Sequence, residues 1–323
     1  MIRGLLFAAV AAFALAPAAL AAYPLFIFSH MLVFAIACLA LNLLYGTAGS
    51  LSLGHATFFG VAAYAGAFLY RFTDFDTFEL YFLFGVATST VFAAAIGFLC
   101  VRTTRIHFAI LTLALSMVAY SLVINGAVFR LFGGLGWALY LLGEGSMYLP
   151  PLPMLGMRFA GTEFIPVLYY VIVAAFLATM FVLFRIDRSP FGQALKAIRE
   201  NETRAAFIGI PVAQYRWRAF VLSGFFMGIA GALYGELARQ ITPEQLHWVF
   251  SAKLVLATVL GGTRVFFGPV IGAFAFVLLD EIAGQWPVGR NIAFGVLIIM
   301  VVLALPRGIA GGLSDWVAWR KNS

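Results

Sequence analysis

The sequence predicts an all-α polytopic membrane protein with about ten transmembrane helices, some of them short or broken. Of its 323 residues, 63% are hydrophobic and only 10% are charged, and the mean hydropathy is +1.01. A soluble domain does not have this composition. Apolar stretches long enough to cross a bilayer, about 20 residues each, recur from end to end. We therefore treat residues 1–323 as a single transmembrane domain.

The first apolar stretch, which follows Arg3, is compatible with two structures. It has the length of a membrane span, but Ala19-Leu20-Ala21 also resembles the cleavage site of a secretory signal peptide. Both interpretations stay open. The later predicted spans are Leu25 to Tyr45, His55 to Tyr70, Phe78 to Val101, Ile106 to Phe129, Glu163 to Phe184, Trp217 to Ala238, Phe250 to Gly262, Phe267 to Trp286 and Asn291 to Pro306.

Two of these segments, His55 to Tyr70 and Phe250 to Gly262, are too short for a straight span and adjoin glycine-rich turns. We predict that they are broken or re-entrant. The turns Gly46 to Gly54 and Gly261 to Gly268 resemble corresponding elements of an internal repeat around a transport path. Because both fall on the same predicted side, the hand of the repeat stays unresolved. Alternatively, the glycines only permit close helix packing.

The longest strongly polar stretch, Arg185 to Arg218, predicts two short helices between membrane spans. Ser189 is suited to cap the first helix, with Pro190 in its first turn. Asn201 is suited to cap the second, which would end near Gly209 in a left-handed conformation. The stretch holds seven of the 20 basic residues.

The first of these short helices has an apolar face formed by Phe191, Ala194, Leu195 and Ile198, which recur at helical spacing. Such a face predicts contact with another protein. The alternative is a loop whose basic residues only hold it in the cytoplasm.

Charge bias predicts the orientation. With both termini in the cytoplasm, fourteen of the 20 basic residues lie on the inner side, which satisfies the positive-inside rule. The long outer segment from Arg130 to Gly161 is then either a platform for an external partner or a surface loop without a role.

Four glycines at intervals of four, three and four lie on one face of a predicted helix and indicate close helix packing. They are Gly224, Gly228, Gly231 and Gly235. The sequence does not indicate whether the partner helix belongs to this chain or to a second subunit.

Several functions are disfavoured by what the sequence lacks. No nucleotide-binding P-loop or hydrolase motif occurs, and the four histidines are not spaced as metal ligands. We predict no cofactor, no metal and no enzymatic activity. The basic residues are scattered among loops, so nucleic acid is not an expected partner.

The order of residues in FGQALKAIRENETRAAFIGIPVAQYRWRAF resembles the cytoplasmic loop of ABC importer permeases, in particular the LivM-type branched-chain amino acid permeases. The resemblance extends to Asn42 to Tyr64, Leu222 to Gly235 and Leu260 to Ala273. It implies a bacterial inner-membrane permease for a small amino acid, assembled with a LivH-like second permease, two ABC ATPase subunits and an external substrate-binding protein.

Two groups of site residues follow from this resemblance and from the patterns above. The predicted ATPase-coupling residues are Phe191, Gly192, Leu195, Ile198, Arg199, Glu200, Asn201 and Gly209. The residues predicted for the translocation path or for packing are Gly49, Ser52, Gly54, His55, Gly224, Gly228, Gly231, Gly261, Gly262 and Gly268.

Lys253 departs from the LivM-like pattern, which more usually has an acidic residue there. A lysine on the path could attract a carboxylate, whereas a lysine near the outer end could extend to the headgroups; we favour the outer position. An ion-coupled secondary transporter is the main functional alternative, and a passive channel the next. Neither needs a loop that binds an ATPase.

Overall fold

The computed structural model describes residues 17, 20–73, 76–103, 105–124, 146–154, 156–159, 163–285, 289–304 and 308–312. These residues are almost entirely helical. The helices are α1 (Ala22–Asn42), α2 (His55–Phe72), α3 (Phe78–Cys100), α4 (Arg105–Ile124), α5 (Phe164–Arg188), α6 (Pro190–Glu200), α7 (Glu202–Phe207), α8 (Val212–Ala238), α9 (Trp248–Gly261), α10 (Gly268–Gly284) and α11 (Arg290–Ala304). The two strands are β1 (Met147–Tyr148) and β2 (Gln240–Ile241).

Each predicted span after the first coincides with a helix, but only some of these helices are full-length spans. In the described part of the chain, five helices are long and apolar enough to cross a membrane. They are Ala22–Thr47, Phe78–Cys100, Ile106–Ile124, Phe164–Arg188 and Val212–Ala238. The structure thus supports a multi-pass membrane protein without establishing ten spans. The first predicted segment and most of the predicted outer segment lie outside the described residues.

Helices α1 and α8 form the centre of the molecule. Helix α8 packs against α1, α2 and α3, while α1 also contacts α5, α9 and α10. From Met31 to Asn42, every residue of α1 is buried. In a membrane, where lipid tails are as apolar as leucine, close packing of this kind has to come from shape and small residues.

The two ends of the bundle differ in structure. At one end, which we call the loop end, α6 and α7 connect α5 to α8. At the other, the strand end, β1 pairs antiparallel with β2, and the amide of Leu149 donates to the carbonyl of Arg239 at 2.9 Å. Helix α1 runs from the strand end to the loop end, and α8 runs in the opposite direction.

Helix α2 begins inside the bundle. After α1 the chain forms a π-helical turn, Leu43–Thr47, and residues 48–54 then turn back without regular structure before α2 starts at His55. The amide of Leu53 donates to Thr112 Oγ1 at 3.3 Å, and Thr57 Oγ1 donates to Ser116 Oγ at 2.8 Å. Because Thr112 and Ser116 lie in the middle of α4, the start of α2 is at mid-bundle.

Helix α9 begins beside the start of α2. Residues 239–247 lead inward from the strand end through a 3₁₀ turn, Pro243–Gln245. Ser116 Oγ donates to the carbonyl of Leu246 at 3.1 Å, and the amide of Ala56 donates to Ser251 Oγ at 2.8 Å. The two helices predicted to be broken or re-entrant therefore meet inside the molecule.

This arrangement corrects the predicted pairing of glycine-rich turns. Segment 48–54 enters from the loop end and segment 239–247 from the strand end. Segment 239–247, and not the turn from Gly261 to Gly268, therefore matches segment 48–54 in leading to a helix that starts inside the bundle, and an internal repeat stays a prediction. The turn from Gly261 to Gly268 instead closes the hairpin between α9 and α10, where its glycines allow backbone contact.

Candidate functional site

The start of α2 is joined to two other helices through His55. Its Nδ1 lies 2.8 Å from Ser52 Oγ, and its Nε2 lies 2.8 Å from Ser223 Oγ on α8. Ser223 Oγ in turn donates to the carbonyl of Ala40 on α1 at 2.6 Å. All three side chains are fully buried. His55 therefore fastens the beginning of α2 to the two central helices.

Three hydroxyl groups, two of them from other helices, satisfy the backbone at this break. Ser251 accepts from the amide of Ala56, Thr112 accepts from the amide of Leu53, and Ser52 accepts from the amide of Gly54 at 3.3 Å. Broken backbone is tolerated at membrane depth only where protein or water supplies such partners. These residues hold the break closed, and sequence reasoning found only Ser52 among the three hydroxyls.

The glycine face of α8 packs on helices of the same chain. A Cβ on Gly224 would meet Ala93 of α3, one on Gly228 would lie 2.8 Å from the Cβ of Ser89, and one on Gly231 would meet the carbonyl of Phe59 on α2. The contacts left open by the sequence are thus within this subunit.

The glycines between α9 and α10 also bring backbones together. A Cβ on Gly261 would overlap Gly268 and Gly272, and one on Gly268 would overlap Gly262. Gly262 has a φ of 104°, a conformation that favours glycine. These positions are packing positions in the structure, and a part in the transport path stays a prediction.

Gly49 and Gly54 lie at the two ends of the segment that leads into α2. Gly49 has a φ of 71° and a Cβ there would meet Arg199 of α6, whereas a Cβ on Gly54 would meet the carbonyl of Thr112. Neither position has space for a side chain. The loop that connects α5 to α8 is thus in direct contact with the broken segment.

The predicted helix caps of that loop are confirmed. Ser189 Oγ accepts from the amide of Gly192 at 3.3 Å, and Asn201 Oδ1 accepts from the amide of Arg204 at 2.9 Å. Gly209 has a φ of 87°. A Cβ on Gly192 would overlap the carbonyls of Ile186 and Asp187, so this glycine lets α6 turn tightly against the end of α5.

The structure corrects the predicted exposure of the apolar face of α6. Leu195 and Ile198 are buried in their own chain, at 0% and 2% exposure, because α6 packs against α5, α8 and the π-helical turn. Phe191 stacks on Tyr215 of α8, with ring centroids 5.4 Å apart. These side chains hold the loop together, and Leu195 and Ile198 have no exposed surface that a second protein could contact.

The exposed apolar residues of the loop lie at its tip. Phe207 is 86% exposed and Ile208 75% exposed, directly before Gly209. Beside them is a pocket of about 210 Å³. Its lining residues are Ala197, Glu200, Asn201, Arg204, Ala205 and Ile208. Helical spacing in the sequence did not reveal the tip because its two apolar residues are consecutive.

Ionic and hydrogen-bonded contacts clamp the loop to the membrane helices. Arg199 Nη1 donates to the carbonyl of Gly46 in the π-helical turn. Lys196 Nζ lies 2.8 Å from Asp187 Oδ2, and Thr47 Oγ1 donates to Asp187 Oδ1 at 3.2 Å. Through these contacts α6 is linked to both α5 and the segment that precedes α2.

The second short helix is clamped separately. Arg216, near the start of α8, forms two hydrogen bonds with the carboxylate of Glu202, of 2.8 and 2.9 Å. A bidentate pair fixes orientation as well as distance. The tip is therefore carried on a loop that is held at both of its helices.

One buried acid lies near the strand end. Glu236 of α8 is fully buried, and its Oε1 accepts from the amide of Leu152 at 2.9 Å. The carbonyl of Pro153 accepts from the amide of Phe78 at 2.9 Å. Both contacts anchor the described part of the predicted outer segment to the bundle.

The structure is that of a helical membrane protein, with two helices that start inside the bundle and a polar loop that leads to one of them. The chain belongs to the family described as branched-chain amino acid transport system / permease component, whose model matches residues 23–305.

The relatives show low identity to this chain and differ in their cargo. The chain is 25% identical to the high-affinity branched-chain amino acid transport system permease protein LivM of Escherichia coli (strain K12), over 86% of this chain and 68% of that protein. It is 26% identical to a probable LivM of Methanocaldococcus jannaschii, over 85% and 89%. A nucleoside ABC transporter permease protein of Lactococcus lactis, NupC, is 33% identical over 50% and 53%.

Proposed function

We propose that this chain is the membrane permease subunit of an ABC importer for branched-chain or related small amino acids. In this proposal it works with a homologous second permease, two ATPase subunits and an external substrate-binding protein. The observation that carries the proposal is the apolar tip, Phe207 and Ile208, on a loop that is otherwise polar. Exposed apolar side chains on a rigid support are typical of protein contact sites.

The tip is suited to dock in a groove of an ATPase subunit. Burial of two large apolar side chains would supply the contact energy, and the neighbouring pocket would receive a side chain of the partner. Glu200, Asn201 and Arg204, which line that pocket, would set the orientation of the two proteins through hydrogen bonds.

A movement of the tip can be transmitted to the membrane helices through a few direct contacts. A displacement of α7 reaches α8 through the Glu202–Arg216 pair, and a displacement of α6 reaches Gly46 through Arg199. Gly46 precedes the segment that leads to His55. Because packed elements switch between discrete arrangements, the loop is suited to act as a lever on the broken helix.

The proposal includes an orientation. The loop end would face the cytoplasm, in agreement with the basic residues of the loop, and the strand end would face the binding protein. Tyr148 and Met157, 70% and 55% exposed at the strand end, are then on the substrate side.

The test is the paired change Phe207→Ser and Ile208→Ser in the complex reconstituted in proteoliposomes. We expect the ATPase subunits to stop co-purifying and ATP hydrolysis stimulated by the binding protein to fall at least about tenfold, since two apolar anchors are lost. The thermal midpoint of the isolated subunit should be unchanged because neither side chain is buried in it.

The matched control is the pair Tyr148→Ser and Met157→Ser, which removes two exposed apolar side chains from the strand end. ATPase co-purification should be retained in this variant. If the tip variant keeps stimulated hydrolysis and uptake at wild-type levels, the loop is not the ATPase contact. Uptake that follows a proton gradient without ATP would instead favour the secondary transporter.

A further inference from the structure

Lys253 lies at membrane depth, in contrast to its predicted position near the outer end. The carbonyl of the next residue, Leu254, accepts from Cys38 Sγ of α1 at 3.9 Å. Cys38 lies sixteen residues after the first residue and nine before the last residue of the span Ala22–Thr47. At 1.5 Å per residue, Cys38 is about 24 Å from the strand end of that span and about 14 Å from its loop end, and Lys253, next to Leu254, lies at a similar depth.

The Lys253 side chain is too short to reach either surface of the membrane. Because side chains on a helix tilt toward the helix N-terminus, and α9 starts at mid-bundle, the stem of Lys253 leans toward the middle of the membrane. Its extended length is roughly 6 Å, less than the distance to the loop end. Extension to the headgroups therefore does not explain this lysine.

Lys253 is exposed on the surface of the subunit. It belongs to a strip along α9 that also includes Trp248, Val249 and Leu256, which are 38%, 41% and 42% exposed. The other sides of α9 pack on α1, α2 and α10. Within the described residues, no salt bridge to Lys253 is formed. A charge in this position is costly against lipid, so its surroundings in the complex have to be aqueous or anionic.

We propose that the Lys253 strip lines the transport path and that the Lys253 ammonium binds the carboxylate of the transported amino acid at mid-membrane. This inference rests on the proposed function and assigns one contact in it. Carboxylate and ammonium have opposite charges, and a contact made away from bulk water is stronger than at a surface. Ser251, on the buried side of the same turn, fixes the start of α9 through Ala56, which keeps the lysine at a defined depth.

The test uses Lys253→Cys in a complex in which Cys38 and Cys100 of this chain are replaced by alanine. We expect leucine uptake to fall about tenfold or more, as for loss of a charged hydrogen bond. Modification with aminoethyl methanethiosulfonate restores an ammonium at nearly lysine length and should restore uptake. The sulfonatoethyl reagent of similar size should also react but leave uptake low.

The matched control is Val91→Cys, at an exposed position in the middle of α3, which should react with neither water-soluble reagent. Absence of reaction at Cys-substituted position 253, or uptake that is independent of the charge placed there, overturns the inference. So does a Lys253→Gln variant that assembles poorly, because an acid of the second permease would then be the partner. A wild-type complex without ATP-driven leucine uptake would refute the proposed function instead.

Discussion

Helices α2 and α9 both begin inside the bundle, but their surroundings are opposite in kind. The start of α2 is enclosed: Ser52, His55 and Thr57 are fully buried, and each of them is hydrogen-bonded. The start of α9 is enclosed on one side by Ser251 and open on the other along the Lys253 strip. Two helices with the same interruption thus differ in whether a solute could reach them.

The two helix starts differ in how their interrupted backbone is satisfied. A broken helix leaves backbone groups without helical partners, and in a membrane these groups need partners from protein or water. At the start of α2 the partners of these backbone groups are side chains of Ser52, of α4 and of α9, so this break is part of the scaffold. In α9 only one face is used in that way, and the other face is exposed.

The largest effect on the free energy of unfolding is expected on the closed side of α9, where it packs on α10. Replacing Gly261 by leucine would force the backbones of α9 and α10 apart and should lower the free energy of unfolding by about 3 kcal/mol. SDS titration of the purified subunit in mixed micelles measures this change. Gly295→Leu, at a position with no atom near a built Cβ, is the control and should unfold like wild type.

The closed joint at α2 is tested by His55→Ala. This change removes the hydrogen bonds from the imidazole to the buried hydroxyls of Ser52 and Ser223, each of which keeps one other partner, and should cost about 2 kcal/mol in the same titration. His55→Gln, which can still form one of the two hydrogen bonds, should recover part of the loss. Equal stability of His55→Ala and wild type would contradict the role of His55 as a structural joint.

A smaller effect is expected where the two helices touch. Ser251→Ala removes the acceptor for the amide of Ala56, and the loss of such a helix cap costs about 1 kcal/mol. Ser251→Asn, which restores an acceptor of similar reach, should be closer to wild type. A loss as large as that of Gly261→Leu would mean that Ser251 does more than cap α2.

The smallest effect on the free energy of unfolding is expected in the Lys253 strip. Leu256→Ser, one turn from Lys253, should change the free energy of unfolding of the isolated subunit by less than about 0.5 kcal/mol, because exposed positions contribute little. A loss clearly larger than this would show that the strip is packed against its own chain, and the comparison between α2 and α9 would no longer hold.

The sequence predicted the helices and the interruptions well because both depend on local patterns. Apolar runs indicated the spans, and the caps Ser189 and Asn201 have short-range chemistry that does not depend on the rest of the fold. The shortness of the segments that became α2 and α9 was sufficient to predict that they are broken.

The wrong predictions concern features that depend on contacts between segments far apart in the sequence. Helical spacing indicated an apolar face on α6 but not that α5, α8 and the π-helical turn cover it, so Leu195 and Ile198 were assigned to the wrong surface. Similar glycine-rich turns suggested the wrong repeat pairing, because one turn precedes a broken helix and the other closes a hairpin. Chain order likewise did not give the depth of Lys253, which depends on where α9 starts.

The burial of α1 has a consequence for biogenesis. This helix leaves the ribosome before the helices that cover it, since α8, α9 and α10 are synthesised last of its neighbours. Until they insert, polar side chains of α1 such as Ser29 and Asn42, both buried in the finished subunit, remain without that cover in the nascent chain. A ribosome that stalls before α8 therefore leaves a product whose central helix lacks its enclosure.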